Sequence, residues 1–262
     1  MNLAEQIDQL VGRGFSEERA ETIVLMREAA IIIFDAFPGT LVLVGGANLV
    51  LFQDGVRHSA DLDFFPVSGE LPDVAKLSEV LLTDLAPLAK LLNLHPLNLK
   101  TISSEAGQIK LMLSSNNGKA LFTVDITSIG SVLKSGIEEV SLEATAANRK
   151  ANVKFISRDQ QLLNKAETFL LRRNLKTRDA YDVMDLLAKG AFLTGNLKNH
   201  LEDVLYGEFD ADRIRERITQ VDPKRCRAEL KDKLPDEVYQ KLEEQDFQSL
   251  RDALTKIFHE WL

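Results

Sequence analysis

The sequence has 262 residues, of which 45% are hydrophobic and 27% are charged, and its formal net charge is −8. This composition is typical of a globular chain that is long enough to bury one large core or two smaller ones. A single cysteine excludes a disulfide framework, no apolar run reaches the ~18 residues needed to span a bilayer, and the acidic balance argues against a general nucleic-acid coat.

The first segments predict a helix, a strand, a turn and a second strand. Residues 17–36 carry apolar side chains at helical spacing, with acids in the first turn. The run LVLV then predicts a short buried strand that stops at Gly45 and Gly46. ANLVLF predicts the first turns of a helix, and ADLDFFPV predicts a strand that Pro66 closes.

The start of the chain resembles no signal peptide, so we expect a cytoplasmic protein with no membrane partner.

The pattern changes from mixed to purely helical near residue 157. Residues 72–92 predict helix, and LNLKTIS, QIKLMLSS, ALFTVDITS and NVKFIS predict strands. Asn116, Asn117 and Gly118 predict a hairpin between the second and third of these strands, because Asn and Gly tolerate a positive φ. Beyond Arg158 nearly all segments are amphipathic helices. We therefore predict an α+β domain with a mixed sheet at 1–157 and an all-helical domain at 158–262.

Two aspartates stand one residue apart on a predicted strand. Alternate strand residues share a face, so Asp61 and Asp63 lie together while Leu62 and Phe64 point the other way. Two neighbouring carboxylates repel each other unless a cation neutralises them. Oxygen ligands of this kind suit Mg²⁺, which substrate phosphates and water then complete.

A third acid and the glycine turn extend this pattern. In ALFTVDITS the alternation places Asp125 on the polar face, between apolar residues that face the core. Three acids on two strands can assemble a two-metal site for phosphoryl transfer. Gly45 and Gly46 allow backbone N–H groups to approach a phosphate, and a helix that begins there points its N-terminus at the same anion.

The order of these motifs resembles a known family. GGANLVLF, then RHSADLDFF, then VDI, and finally NKAETFLLRRNLKTRDAYD resemble the AbiEii-type toxins of the DNA polymerase beta-like nucleotidyltransferase superfamily, which belong to abortive-infection and type IV toxin–antitoxin systems. The match covers roughly residues 38 to 190. One departure is Ala47, where the family has Ser or Thr after the glycines. A hydroxyl contact to phosphate is therefore missing, and we expect Asn48 to replace it in part.

The resemblance implies a role for each matched residue. Asp61, Asp63 and Asp125 would bind two Mg²⁺ ions and form the catalytic acids, with Asp125 as a candidate base. Lys165 and Asp179 would complete the catalytic set from the helical domain, in a groove between the two domains. The residues implied in binding the nucleoside triphosphate are Gly45, Gly46, Asn48, Arg57, Ser59, Lys165, Arg172 and Arg178.

The implied reaction is transfer of a nucleoside monophosphate from an NTP to a hydroxyl acceptor. By resemblance the acceptor is the 3′ end of a tRNA, the outcome is growth arrest, and a cognate antitoxin is the expected partner. The basic residues of 165–178 and 213–233 are the expected RNA contacts. Two alternatives stay open from the sequence: a non-catalytic nucleotide- or partner-binding module of the same fold, and a small-molecule transferase of the antibiotic-modifying type.

Structural interpretations also stay open for single residues. Asp63 could pair with Arg57, and Lys165 could simply border an apolar stripe with its ammonium in water. Asp179 could be an ordinary acid in the first turn of a helix.

Overall fold

A computed structural model describes residues 2–105, 107–128, 136–206 and 209–262. The chain divides into two compact units, Met1–Ile156 and Ser157–Leu262. None of the helices in the described residues combines the length and apolar composition that a membrane crossing requires.

The first unit is built on a mixed seven-stranded sheet. In chain order its described strands are β1 (Leu41–Val44), β2 (Asp61–Pro66), β3 (Asn98–Glu105), β4 (Gln108–Ser114), β5 (Ala120–Thr127), β6 (Ile137–Glu143) and β7 (Lys150–Ile156). Their order across the sheet is β3-β4-β5-β2-β1-β7-β6. The β2–β5 and β1–β7 pairs are parallel, and the other neighbours are antiparallel.

Helices of the first unit pack on the sheet and on each other. Those that the structure describes are α1 (Leu3–Gly12), α2 (Glu17–Ala36), α3 (Gly45–Phe52), α4 (Val74–Asp84) and α5 (Ala86–Leu91). Helix α2 is apolar on nearly all sides and is mostly buried, as expected for a helix inside a core. It shares that core with Leu62 and Phe64 of β2 and with Val124 and Ile126 of β5.

The predicted hairpin between β4 and β5 is confirmed. Gly118 has φ +77°, and its N–H donates to Ser115 O at 2.9 Å. The N–H of Ser115 closes the turn on Lys119 O, also at 2.9 Å. The pairing shifts by one residue between Leu113 and Ser114, and beyond this irregularity Lys110 lies opposite Asp125.

The second unit is all helical within the described residues. Its α-helices there are α6 (Arg158–Leu171), α7 (Thr177–Ala188), α8 (Gly195–Leu205), α9 (Ala211–Thr219), α10 (Pro223–Leu230), α11 (Asp236–Glu243) and α12 (Gln248–Phe258). Helix α7 packs against α6, α10 and α12, so it lies at the centre of this unit. The predicted fold class, a mixed sheet with flanking helices followed by a helical region, is confirmed.

Candidate functional site

The two aspartates of β2 lie on the polar face of the sheet. Leu62 and Phe64 are buried, whereas Asp61 and Asp63 are half-buried on the opposite side, as the strand alternation predicts. Because β2 and β5 are parallel neighbours, Asp63 lies directly opposite Asp125. The third acid is therefore on the strand next to the first two, and on the same face.

Threonines of β5 orient these carboxylates. Thr123 lies opposite Asp61 and donates to Asp61 Oδ1 at 2.6 Å. Thr127 donates to Asp125 Oδ1 at 2.9 Å. Each threonine occupies one of the lone pairs of its carboxylate, which restricts the rotation of the side chain.

Strand β4 adds two polar residues that the sequence motifs did not reveal. Lys110 Nζ lies 3.0 Å from Asp125 Oδ2, and Gln108 Nε2 lies 3.1 and 3.3 Å from the two oxygens of that carboxylate. The hydrogen bond to Asp125 raises the pKa of Lys110, burial opposes the rise, and the charges of Asp125, Asp61 and Asp63 add to it. Strand alternation in the sequence indicates that Lys110 lies on the polar face, but its pairing with Asp125 depends on a register shift between Leu113 and Ser114 that the sequence did not predict.

The Gly-Gly turn is in tight contact with the acidic strand. Gly45 has φ +71°, a left-handed conformation that favours glycine, and a Cβ there would collide with the carboxylate of Asp63. A Cβ on Gly46 would collide with Ser59 Oγ and would lie 3.2 Å from Arg57 Nη2. Helix α3 begins at this turn, so its N-terminus lies beside the Asp63 carboxylate, where the helix dipole favours negative charge.

Asn48, the residue that follows Ala47 in α3, is buried. It has no exposed surface, and its Nδ2 donates to Ile156 O at 3.0 Å. Gln53 Nε2 donates to the same carbonyl at 2.9 Å. Asn48 is thus a buried side chain that ties α3 to the end of β7, and its contact with a phosphate stays a prediction.

In the second unit, α6 and α7 share a cluster of charged side chains. Lys165 Nζ lies 2.8 Å from Asp182 Oδ2 and 3.7 Å from Asp179 Oδ1. Arg172 Nη1 lies 3.0 Å from Asp179 Oδ2. Both aspartates are 1% exposed, so the ammonium and guanidinium compensate buried charge. Arg178 is half-buried in the first turn of α7.

A basic cavity of about 260 Å³ lies on the same unit. Its lining includes Arg172, Arg173, Arg213 and Arg217, together with Phe209. Arg213 lies over the ring of Phe209, 6.0 Å from its centroid. Arg217 donates to Phe169 O at 3.0 Å, and burial, followed by the charge of Arg225, lowers its pKa. A concave surface with several guanidinium groups suits phosphate oxygens.

Mg²⁺ fits the acidic face on the chemistry of its donors. Asp61 accepts one side-chain hydrogen bond, from Thr123, which leaves lone pairs for a cation. One or two carboxylates plus phosphates and water are a usual ligand set for Mg²⁺. Within the described residues no three His, Cys, Asp or Glu side chains are gathered closely enough to hold a metal ion by themselves. The arrangement therefore fits a cation that one or two carboxylates bind and that water or substrate phosphates complete.

Comparisons with known proteins agree on the fold and the family. The family model for the nucleotidyl transferase AbiEii toxin of type IV toxin–antitoxin systems matches residues 29–260. JHP933 from Helicobacter pylori is 15% identical over 94% of both chains, with a TM-score of 0.56. The nucleotidyltransferase toxin MenT4 from Mycobacterium tuberculosis is 16% identical over 96% of this chain and 90% of its own, with a TM-score of 0.55. No curated protein matches the chain.

Proposed function

The chain belongs to the AbiEii family of nucleotidyltransferase toxins of type IV toxin–antitoxin systems, a membership that implies an NTP substrate, and from this premise we propose where and how it acts. The proposed site is the polar face of β2 and β5, with Mg²⁺ on Asp61 and Asp63. The observation that carries the proposal is the contact between the left-handed Gly45 and the Asp63 carboxylate, because it joins a phosphate-binding turn to a metal-binding acid.

The proposed reaction joins an acceptor hydroxyl to the α-phosphate of the NTP. The α-phosphorus forms a bond to the acceptor oxygen, and its bond to the oxygen that bridges to the β-phosphorus breaks, so that pyrophosphate leaves. The proton of the hydroxyl passes to water. When bound, Mg²⁺ would neutralise the triphosphate and stabilise the charge that develops on the leaving group. The backbone of Gly45 and Gly46 allows close approach of the phosphates, and Ser59 and Arg57 border Gly46 as further donors.

For the acceptor we propose the 3′ end of a tRNA. The arginine-lined cavity of the second unit supports a polyanionic acceptor, because it concentrates guanidinium groups at one place on a chain whose total net charge is −8. A cognate antitoxin is the partner proposed from the family.

Lys165 and Asp179, with Arg172 and Arg178, are proposed to serve the same reaction. Their support is the burial of charge: an Asp that is 1% exposed and held only by cations costs folding free energy, and such groups concentrate at functional sites.

The test is transfer of label from each of the four NTPs to purified tRNA in the presence of Mg²⁺. Asp61→Asn and Asp63→Asn should each lower the rate by more than the roughly 10- to 100-fold that follows loss of an outer partner of a metal ligand. Asp8→Asn, at an exposed position of α1, removes the same charge and should leave the rate unchanged.

Two outcomes would contradict parts of the proposal. Full activity of Asp61→Asn and Asp63→Asn would show that the active site does not lie on the polar face of β2 and β5. Labelling of aminoglycosides or other small hydroxyl compounds with no labelling of tRNA would replace the proposed acceptor by a small molecule.

A further inference from the structure

Lys110 places a positive charge inside the acidic site. It lies on β4, on the face that carries Asp125, and the hairpin register sets the two residues opposite each other. The ammonium lies 3.0 Å from Asp125 Oδ2, and the lysine side chain is 35% exposed while that of Asp125 is 15% exposed. The pair is therefore partly shielded from water and is screened less than a surface ion pair.

The protein itself occupies the acceptor sites of Asp125. A carboxylate has about four lone-pair positions. Gln108 Nε2 contacts both oxygens, Thr127 donates to Oδ1, and Lys110 donates to Oδ2. A divalent cation could bind Asp125 only by displacing one of these donors.

Asp61 differs from Asp125 in this respect. In the part of the chain that the structure describes, the Asp61 carboxylate has one hydrogen-bond donor, Thr123, and no ion pair within 4 Å. The Asp61 carboxylate thus has lone pairs that can bind a cation, whereas hydrogen bonds occupy those of Asp125.

The lysine also relieves repulsion between the acids. Asp63 and Asp125 are directly opposed on neighbouring strands, where like charges destabilise a sheet. The negative charges of Asp125, Asp61 and Asp63 all act to raise the pKa of Lys110, so its ammonium lies in the field of the three carboxylates together. It already does part of what a second metal ion would do.

We propose that Lys110 is the resident cation of this site, so that Asp61 and Asp63 bind one divalent cation and the Lys110 ammonium stands at the position of a second. This deepens the proposed function and rests on it. Lys110 is a positioning residue: it fixes Asp125 and sets the metal stoichiometry at one. The arrangement replaces the two-metal site expected from the sequence by one metal and one ammonium.

The test counts the Mn²⁺ ions that full-length protein binds in the absence of nucleotide. Electron paramagnetic resonance measures the free Mn²⁺, and the bound Mn²⁺ is the difference from the total. Wild type should bind one Mn²⁺. Lys110→Met removes the ammonium from Asp125 and one positive charge from the acidic face, so it should bind a second Mn²⁺ or bind the first at least about fivefold more tightly. Lys110→Arg keeps the charge and should behave as wild type. Lys110→Met/Asp125→Asn removes both charges and should also return to one ion.

A single substitution tests the proposal independently of how Lys110→Met folds. Asp125→Asn should keep the one Mn²⁺ of wild type, because Asp125 is not a ligand. Two Mn²⁺ in wild type, a loss of Mn²⁺ in Asp125→Asn, or unchanged number and affinity in Lys110→Met would each overturn the assignment.

Asp61→Asn separates this inference from the proposed function. If Asp61→Asn abolishes Mn²⁺ binding while Lys110→Met changes nothing, the metal site stands and only the role of Lys110 fails. If Asp61→Asn binds Mn²⁺ as wild type does, the proposed metal site itself is wrong.

Discussion

At the scale of single residues, the two glycines of the turn matter to the proposed site as much as its charged residues do, because neither glycine has room for a side chain. Gly45 adopts φ +71° directly against the Asp63 carboxylate, and Gly46 has Ser59 where a Cβ would stand. Ser59 thus brings a hydroxyl to the turn from the following loop. Ala47 lacks the hydroxyl that the family usually has at this position. Ser59 Oγ is the atom nearest to a Cβ built on Gly46, so Ser59 supplies a hydroxyl beside the second glycine.

We predict that Gly45→Ala abolishes nucleotidyl transfer and destabilises the protein. The left-handed φ costs about 1–2 kcal/mol for a non-glycine residue, and the collision with Asp63 adds about 1–3 kcal/mol. Gly39→Ala is the matched control, because Gly39 has φ +74° but no atom within 4 Å of an added Cβ. Urea unfolding and the transfer assay should show only the φ cost in Gly39→Ala. Equal effects of the two substitutions would mean that the Asp63 contact has no role.

At the scale of elements, the charged cluster between α6 and α7 combines a packing role with a proposed catalytic one. Lys165 bridges two aspartates that α7 buries, and Arg172 at the end of α6 holds one of them. A buried ion pair of this kind is rarely the most stable solution, since apolar residues of similar size often stabilise as well or better. Its presence is easier to understand if Lys165 and Asp179 take part in the reaction.

A double substitution separates the two roles. Lys165→Met alone leaves Asp182 without its 2.8 Å cation and should cost about 3–5 kcal/mol. Lys165→Met/Asp182→Leu should recover most of that stability, measured by the free energy of unfolding, yet remain inactive in the transfer assay. Activity in the recovered double variant would show that Lys165 is a structural residue only.

The sequence predicted most elements that have a strong pattern and missed those with a weak one. The buried LVLV run, the alternating β2 and β5 and the hairpin at Asn116–Gly118 were all predicted because apolar period and turn chemistry agree. Strand β6, IEEVSLE, was not predicted, because acids occupy several of its exposed positions at one edge of the sheet. Helices α1 and α11 were also missed, although both are amphipathic.

The site residues show a similar division. The shared face of Asp61 and Asp63 follows from strand alternation alone, and alternation could have found Lys110 on the polar face of β4, although its pairing with Asp125 depends on a register shift between Leu113 and Ser114. The contact of Ser59 with Gly46 could not have been found in this way, because it depends on the path of an irregular loop. Nor could the burial of Asn48, since its partner, Ile156, is 108 residues further along the chain.

At the scale of the whole molecule, net acidity and buried carboxyl groups set how stability varies with pH. Burial raises the pKa of Asp185 in spite of Lys189, and burial raises that of Glu167 in spite of His200. A raised carboxyl pKa means that the folded state prefers the proton. The corresponding stability is fully present below the ordinary Asp or Glu range and is lost as the pH rises through the elevated pKa.

We therefore predict that Asp185→Asn stabilises the protein at pH 7 relative to wild type, because the neutral amide avoids burial of a charge. This advantage should shrink as the pH falls through the elevated pKa of Asp185 towards the ordinary Asp range, because folded wild type then takes up the proton, and it should be gone below that range. Thermal unfolding between pH 4 and pH 8 measures the difference. Glu18→Gln should have the opposite effect and lower the stability at pH 7 relative to wild type, because the hydrogen bond with Lys119 lowers the pKa of Glu18. An Asp185→Asn effect that does not vary with pH would contradict this account.

The short turn between β4 and β5 has an evolutionary consequence. Its length, together with the register shift between Leu113 and Ser114, decides which residue of β4 lies opposite Asp125, and strand side chains return to the same face at every second position. Sliding β4 by two positions would keep the same face toward the acids but bring Met112 or Gln108 to the place of the lysine. Insertions or deletions at this surface loop could thus retune metal use among relatives that retain every acidic motif, so alignments of this family should be inspected for loop length and not for motifs alone.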